Sequence, residues 1–222
     1  MAVVCWSGGV DSTLVLYDLA LEAKNGRGCK HGVRALTIVQ PQVPCQPQGA
    51  LARAALKVRF RELGLRFDHA VLTMRVSGRF YPTSVGSGLV QPLFWVGSAV
   101  NYLAGDEDLY LGYVHGDCIW HYIGHLRAAF TGLLGVSGRS GNLVMPLEWS
   151  RKAEVIERAQ GLGLYEQCWW CEGDQDKLVR LPRGRLGPCG ECPACKTHKT
   201  GLWQLEMGLF KSSEGGEGKV ST

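Results

Sequence analysis

Ser7-Gly8-Gly9-Val10-Asp11-Ser12 follows directly on the apolar run Met1 to Trp6. Apolar residues at Leu14, Leu16, Leu19 and Leu21 then suit a helix over Thr13 to Lys24 packed on a sheet. A strand, a glycine turn and a helix is the geometry that holds phosphate. The glycines let backbone approach the anion, and the turn and helix N-terminus aim free N–H groups at it. Ser7 and Ser12 add hydroxyl donors, and Asp11 could orient Mg²⁺ or cap the helix. No Gly-Lys-Ser/Thr follows, so this is not a Walker loop. An ordinary Gly-Gly turn capped by Asp11 or Ser12 is the plain alternative. The whole string at a first strand-to-helix turn favours phosphate, because ligands of open α/β sheets sit at such carboxyl ends.

Cys189-Gly190-Glu191-Cys192-Pro193-Ala194-Cys195 is C-x2-C-x2-C, which puts three thiolates around one ion. Cys168, Cys171 and His198 are the candidates for a fourth, tetrahedral ligand. Free buried thiols, a redox role for the Cys168-Trp169-Trp170-Cys171 pair and iron–sulfur ligation are the competing readings. The cysteine count is nine, odd and weighted to the end of the chain, and Met1 to Trp6 shows no basic leader. A reducing compartment, and hence a cytoplasmic protein using metal rather than disulfides, is expected.

Positioning these groups requires a sheet. Val33–Val39, Asp68–Thr73, Asp108–Val114 and Asn142–Leu147 read as further strands or extended segments. Gly49–Leu63, Gly88–Ala104, His121–Leu134, Ser150–Gly161 and Thr197–Gly208 read as helices, with Ser150 as an N-cap. Strands alternating with helices predict an α/β fold with a parallel, doubly wound sheet. After Gly163 cysteine, tryptophan, glycine and proline take over. The expected division is residues 1–163 for the phosphate-binding domain, 164–211 for a small zinc-binding subdomain with a C-terminal helix, and 212–222 for a disordered tail.

At 222 residues the chain can bury a normal core. A net charge of +4 suits an anionic ligand but is too mild for a nucleic-acid groove. The best apolar stretch, Gly88 to Ala104, is interrupted by Gln91, Pro92 and Asn101, so no membrane span is expected.

The Ser-Gly-Gly-x-Asp-Ser string resembles the signature of the PP-loop, N-type ATP pyrophosphatases, which cleave ATP between the α and β phosphates. The cysteine trio, an upstream cysteine followed by an aromatic residue, and the Pro146-Leu147…Lys152-Ala153-Glu154 segment are similar to the 7-cyano-7-deazaguanine synthase (QueC-like) family. The resemblance spans Ser7 to Gly201 and implies an adenine nucleotide alpha hydrolase-like fold. It implies ATP, Mg²⁺ and Zn²⁺ as cofactors, with Ser7, Gly8, Gly9, Val10, Asp11 and Ser12 binding the nucleotide. It implies a structural zinc on Cys189, Cys192, Cys195 and one upstream cysteine, Cys168 matching that position better than Cys171.

Asp11, Lys152 and Asp117 are the expected catalytic residues, with His115, His121, Trp95, Trp120 and Tyr113 as candidate substrate contacts. The implied reaction is adenylation of the carboxylate of a 7-deazapurine, 7-carboxy-7-deazaguanine, followed by transfer to ammonia. A homodimer is expected. Three segments depart from the family: Val39 to Pro44, Trp95 to Asn101 and Gly112 to Cys118. These border the substrate, so a different acceptor amine, such as that of a partner protein in an anti-phage system, is the second reading. A tRNA-thiolating enzyme, with Cys118 as its catalytic thiol, and a non-enzymatic nucleotide-binding module are further alternatives.

Overall fold

A computed structural model describes residues 1–27, 32–39, 46–74, 90–117, 119–173, 175–182 and 186–209. The expected tail over 212–222, Cys118 and the divergent stretch 40–44 lie outside the described residues.

Five parallel strands form one sheet in the order β3-β2-β1-β4-β5. They are β1 (Ala2–Cys5), β2 (Val33–Val39), β3 (Asp68–Thr73), β4 (Asp108–Tyr110) and β5 (Leu143–Val144). The order reverses at β1, so the turn after β1 opens at the crevice where such sheets take ligands. The helices are α1 (Val10–Lys24), α2 (Gln46–Glu62), α3 (Val90–Val100), α4 (Ile123–Val136), α5 (Lys152–Gly161) and α6 (Pro193–Glu206). Strand alternation divides the core. Ala2, Val4 and Trp6 pack with α1, Leu56, Phe60 and α5 on one face. Val3, Leu36 and Leu109 pack with Val96, Leu126 and Phe130 on the other. The sheet is therefore covered on both sides, as the doubly wound reading requires.

Several boundaries differ from the sequence reading, α2, α3, α4 and β5 by a few residues at their ends. α1 starts at Val10 rather than Thr13, because Gly9 already holds extended backbone and its carbonyl accepts the first helical bond from Thr13 at 3.0 Å. β4 ends at Tyr110 rather than Val114, since the following backbone closes on α1. Ser150 is not the N-cap of α5. Arg151 takes that place, its N–H donating to the Glu154 carboxylate at 2.9 Å, while the Ser150 carbonyl accepts from His115 N–H. α6 begins inside the cysteine motif, at Pro193, where proline costs no helical bond. Among the described residues, no helix is long and apolar enough to cross a membrane.

Beyond α5 the chain makes a small two-stranded antiparallel ribbon, β6 (Val179–Arg180) with β7 (Leu186–Gly187), and α6 then packs back on α5. Gly201 permits that packing, since a Cβ there would lie 2.9 Å from Ile156 Cδ1 and 3.1 Å from Lys152 Cγ.

Candidate active site and metal centre

The turn between β1 and α1 holds its shape through its own hydroxyls. Ser7 Oγ lies 3.1 Å from Ser12 Oγ and accepts from Gly9 N–H at 3.1 Å. Ser12 Oγ accepts from Ser7 N–H and donates to the Gly9 carbonyl, each at 3.3 Å. Gly8 takes φ +90°, which side chains rarely tolerate, and a Cβ there would meet Arg53 Cγ at 2.9 Å. Two distant segments pin the loop from outside. Arg53 of α2 donates from Nη1 to the Ser7 carbonyl at 2.7 Å, and Trp169 donates its backbone N–H to the Gly8 carbonyl at 3.0 Å.

Gly112, just past β4, faces the first turn of α1. A Cβ there would stand 2.5 Å from Ser12 N and 2.7 Å from the Asp11 carbonyl carbon. The glycine keeps open the space before the helix's unpaired N–H groups, the side from which a helix N-terminus receives an anion.

Lys152 opens α5 directly across from Asp11, the second residue of α1. Its Nζ donates to both carboxylate oxygens, at 2.8 and 2.5 Å, with both side chains largely shielded. Asp117 approaches from the turn after β4, one oxygen accepting from Val114 N–H at 2.9 Å. Burial and the Asp11 charge push the Asp117 carboxyl up to about 6, against the pull of the Val114 amide and Lys152. The predicted residues Ser7, Gly8, Gly9, Val10, Asp11, Ser12, Lys152 and Asp117 thus gather at one end of the sheet.

The candidate substrate contacts divide. His115 lies edge-on to Trp120 at 4.6 Å between ring centroids, and Trp120 to Trp149 at 5.6 Å. Trp120 is tied to Asp117 by its backbone N–H, which donates to the Asp117 carbonyl at 2.8 Å. His121 adjoins Trp120 as well. Tyr113 packs against the second core, and Trp95 contacts Phe94 on α3.

The thiols of Cys171, Cys189, Cys192 and Cys195 all lie within 4.8 Å of one another. Cys168 stands apart, which corrects its assignment as the fourth ligand. It is 7% exposed in the main core, and its Sγ donates to the Leu164 carbonyl at 3.4 Å. Burial pushes that thiol up to about 12. The Trp169 N–H bond to Gly8 intervenes, and the next cysteine, Cys171, is the one that reaches the trio.

Backbone amides point at three of the four thiols, while burial raises those of Cys171 and Cys195. Cys171 Sγ accepts from Gly173 and Cys189 N–H, Cys189 Sγ from Glu191 and Cys192 N–H, and Cys192 Sγ from Cys195 N–H. Burial pushes the Cys189 thiol up, but the Cys192 and Glu191 amides outweigh it and bring it to about 7. Gly173 is needed for closure, since a Cβ there would lie 2.7 Å from Cys189 Sγ. Gly190, at φ +77°, makes the turn of the knuckle. The Cys189–Cys195 sulfur separation of 3.9 Å matches the edge of about 3.8 Å expected for thiolates around one tetrahedral ion with metal–sulfur bonds near 2.3 Å.

His198 does not join the cluster. It is 1% exposed, its Nε2 lies 2.8 Å from the Tyr165 hydroxyl, and Trp170 stacks on its ring at 3.8 Å. Sequence reasoning read Gly49–Leu63 as a helix without singling out Arg53, and missed the backbone role of Trp169. The glycine at 112 was noted, but its contact with α1 had no local signal.

Comparison with known proteins bears on the second half of the chain. Residues 106–206 match the family model described as queuosine biosynthesis protein QueC. Two relatives named 7-cyano-7-deazaguanine synthase match, both from Clostridium botulinum. The one from strain ATCC 19397 / Type A is 33% identical over 69 residues, and the one from strain Kyoto / Type A2 is 34% identical over 68. Each match covers 31% of this chain and 29% of the relative. The solved structure of U34-tRNA thiolase NcsA from Methanococcus maripaludis with its 4Fe-4S cluster aligns at TM-score 0.49 and 12% identity. It covers 93% of this chain and 65% of that one. The family match begins just before β4 and runs through Asp117, Lys152 and all four clustered cysteines, so this part of the chain is similar to QueC, while the chain spans under a third of the length of the curated relatives it matches.

Proposed function

We propose that the chain is an ATP-dependent, AMP-forming carbon–nitrogen ligase. It adenylates the carboxylate of a 7-deazapurine, 7-carboxy-7-deazaguanine, and passes the acyl group to a nitrogen nucleophile. With ammonia the product is the amide and, after a second activation, the nitrile. The observation that carries this reading is the meeting of the Ser7–Ser12 loop with Lys152, 2.5 Å from Asp11, inside a QueC-like chain.

A substrate carboxylate oxygen forms a bond to the α-phosphorus, and the bond from that phosphorus to the pyrophosphate oxygen breaks. Such a transfer rests on positioning and charge neutralisation. The backbone N–H groups around Gly8 and the first turn of α1 hold the departing pyrophosphate, with Ser7 and Ser12 in support. Lys152 supplies a point positive charge. The Asp11 carboxylate offers the hard oxygen that suits Mg²⁺, which when bound neutralises phosphate charge. Asp117, once ionised, takes the proton of the attacking amine. The cysteine cluster suits Zn²⁺ by donor type and spacing, and a zinc there is structural.

A second reading shares the adenylation and differs in the acceptor, an amine of a partner protein. It is favoured by the open surface beside Asp117, where Trp149, 73% exposed, and Trp120 offer an aromatic platform broad enough for a peptide.

The test is mass spectrometry of the protein incubated with Mg-ATP and 7-carboxy-7-deazaguanine, with and without ammonia. AMP together with an ammonia-dependent amide or nitrile supports the first reading. An acyl-adenylate that ignores ammonia supports the second. No AMP in either arm rejects the acid as substrate.

A further inference from the structure

Arg53 is 8% exposed, yet among the described residues no carboxylate lies within ion-pairing distance of it. Its neighbours are the phosphate loop and its own helix. A Cβ on Gly8 would touch its Cγ at 2.9 Å, and a Cβ on Gly49 would touch its Nη1 at 3.2 Å. The nearby His69 imidazole is no counter-charge. Burial first, and then Lys57 and Arg53, push its pKa down to about 4, and its Nε2 lies 2.9 Å from Thr37 Oγ1. A buried guanidinium without an anion is costly. By contrast the other cation of the site, Lys152, is already matched by Asp11.

We propose that Arg53 is a positioning residue for pyrophosphate, aiming the loop's Gly8 N–H and serving as its standing counter-charge. The 2.7 Å bond from Nη1 to the Ser7 carbonyl fixes the plane of the Ser7–Gly8 peptide. In a planar trans peptide the N–H points opposite to the C=O, so holding the carbonyl toward Arg53 turns the Gly8 N–H away from it, to the other side of the loop. The φ of +90° at Gly8 lets the chain continue from that orientation into α1. The glycines at 8 and 49 are then both needed, one for the turn and one for room beside the guanidinium. The charge lies beneath the loop, so it favours an anion on the loop without contacting the reacting atoms. This inference rests on the proposed function for the identity of the anion as the pyrophosphate portion of ATP.

The experiment is calorimetric titration of the full chain with inorganic pyrophosphate, with AMP as comparison ligand, for wild type, R53Q, R53K and G49A. The R53Q variant is expected to bind pyrophosphate about 10- to 100-fold more weakly, the range for losing a charged hydrogen bond, with AMP affinity unchanged. R53K, which restores charge and a donor, is expected within several-fold of wild type. G49A keeps the arginine and the fold but crowds Nη1, so it is expected to weaken pyrophosphate binding several-fold even if R53Q fails to fold. Wild-type affinity in R53Q, or in G49A, overturns the proposal, as does an equal loss of AMP binding. If wild type binds pyrophosphate and R53Q does not, but no acyl-adenylate forms, Arg53's role stands and the assigned acid falls. If wild type binds no pyrophosphate, both fall.

Discussion

Trp169 donates its backbone N–H to the carbonyl of Gly8 at 3.0 Å, joining the segment that carries Cys171 to the loop after β1. That donor lies two positions before Cys171, one of the four clustered thiols. The cysteine cluster therefore bears on the Ser7–Ser12 loop through a backbone bond rather than through a shared side chain. Stripping the metal with a chelator is expected to loosen that bond and weaken ATP binding about fivefold, the equivalent of about 1 kcal/mol for one neutral hydrogen bond. Titration of ATP into metal-loaded and metal-stripped protein, with the fold checked by circular dichroism, measures it. Equal affinities would mean that the loop stands without the metal.

The fourth ligand is separable by substitution. Cys171→Ser is expected to remove bound metal, and Cys168→Ser to retain it with a loss of stability of about 1 kcal/mol for a buried polar exchange. Metal content by elemental analysis of both purified variants decides it, and the reverse pattern would return Cys168 to the site.

Lys152→Met keeps the bulk of the side chain and removes its charge. AMP formation is expected to fall by about 100-fold or more, the scale of losing one preorganised charge at a developing anion. Asp11 is left half-buried without its partner, so a lower melting temperature is expected as well. Pyrophosphate release at saturating ATP separates the two effects, and near-normal turnover would make Lys152 a structural partner of Asp11 only.

Asp117 sets a pH window. Burial and the Asp11 charge raise its folded carboxyl from the usual 3.8 to about 6, so between these values the folded state holds more protons than the unfolded. Its destabilising contribution is absent below about 3.8, grows as pH rises, and is complete above about 6. Relative to Asp117→Asn, wild type is expected to lose stability across that window, while turnover rises with pH through about 6 as the base ionises. Denaturation midpoints and rates measured from pH 4 to 8 check both signs. A flat stability difference between the two proteins would remove the shifted carboxyl.

Gly112→Ala forces a Cβ to within 2.5 Å of Ser12 N. The expected cost is about 1–3 kcal/mol of overpacking together with loss of nucleotide binding. Thermal melting with and without ATP reads both, and a retained ATP-induced shift would show that the space before α1 is not where the phosphates lie.

Much of this was legible in the chain because it was local. The glycine string behind an apolar run marked the turn between β1 and α1, and the hydrophobic periods marked β2 and β3 to the residue and most helices to within a few. What escaped was set by long-range contact. Arg53 and Ser7 lie 46 positions apart, and nothing in a basic amphipathic helix distinguishes its one buried arginine from the solvated ones. Cys168 and Cys171 each precede plausible spacing to the trio. Only the packing of Cys168 beside Leu164 and the tether at Trp169 decide between them. β4 was read too long because its apolar run continues past Tyr110, while the backbone at Gly112 has already left the sheet for α1.

The placement of β1 carries a consequence for synthesis. Its partner β4 pairs Ala2 with Asp108, so the strand that launches the loop stays half unpaired until more than a hundred residues have left the ribosome. Lys152 and Trp169 arrive later still. A nascent chain thus carries β1 without its β4 partner over that stretch of translation, and the contacts of Lys152 with Asp11 and of Trp169 with Gly8 close later. Contacts of such separation slow folding and leave intermediates prone to association.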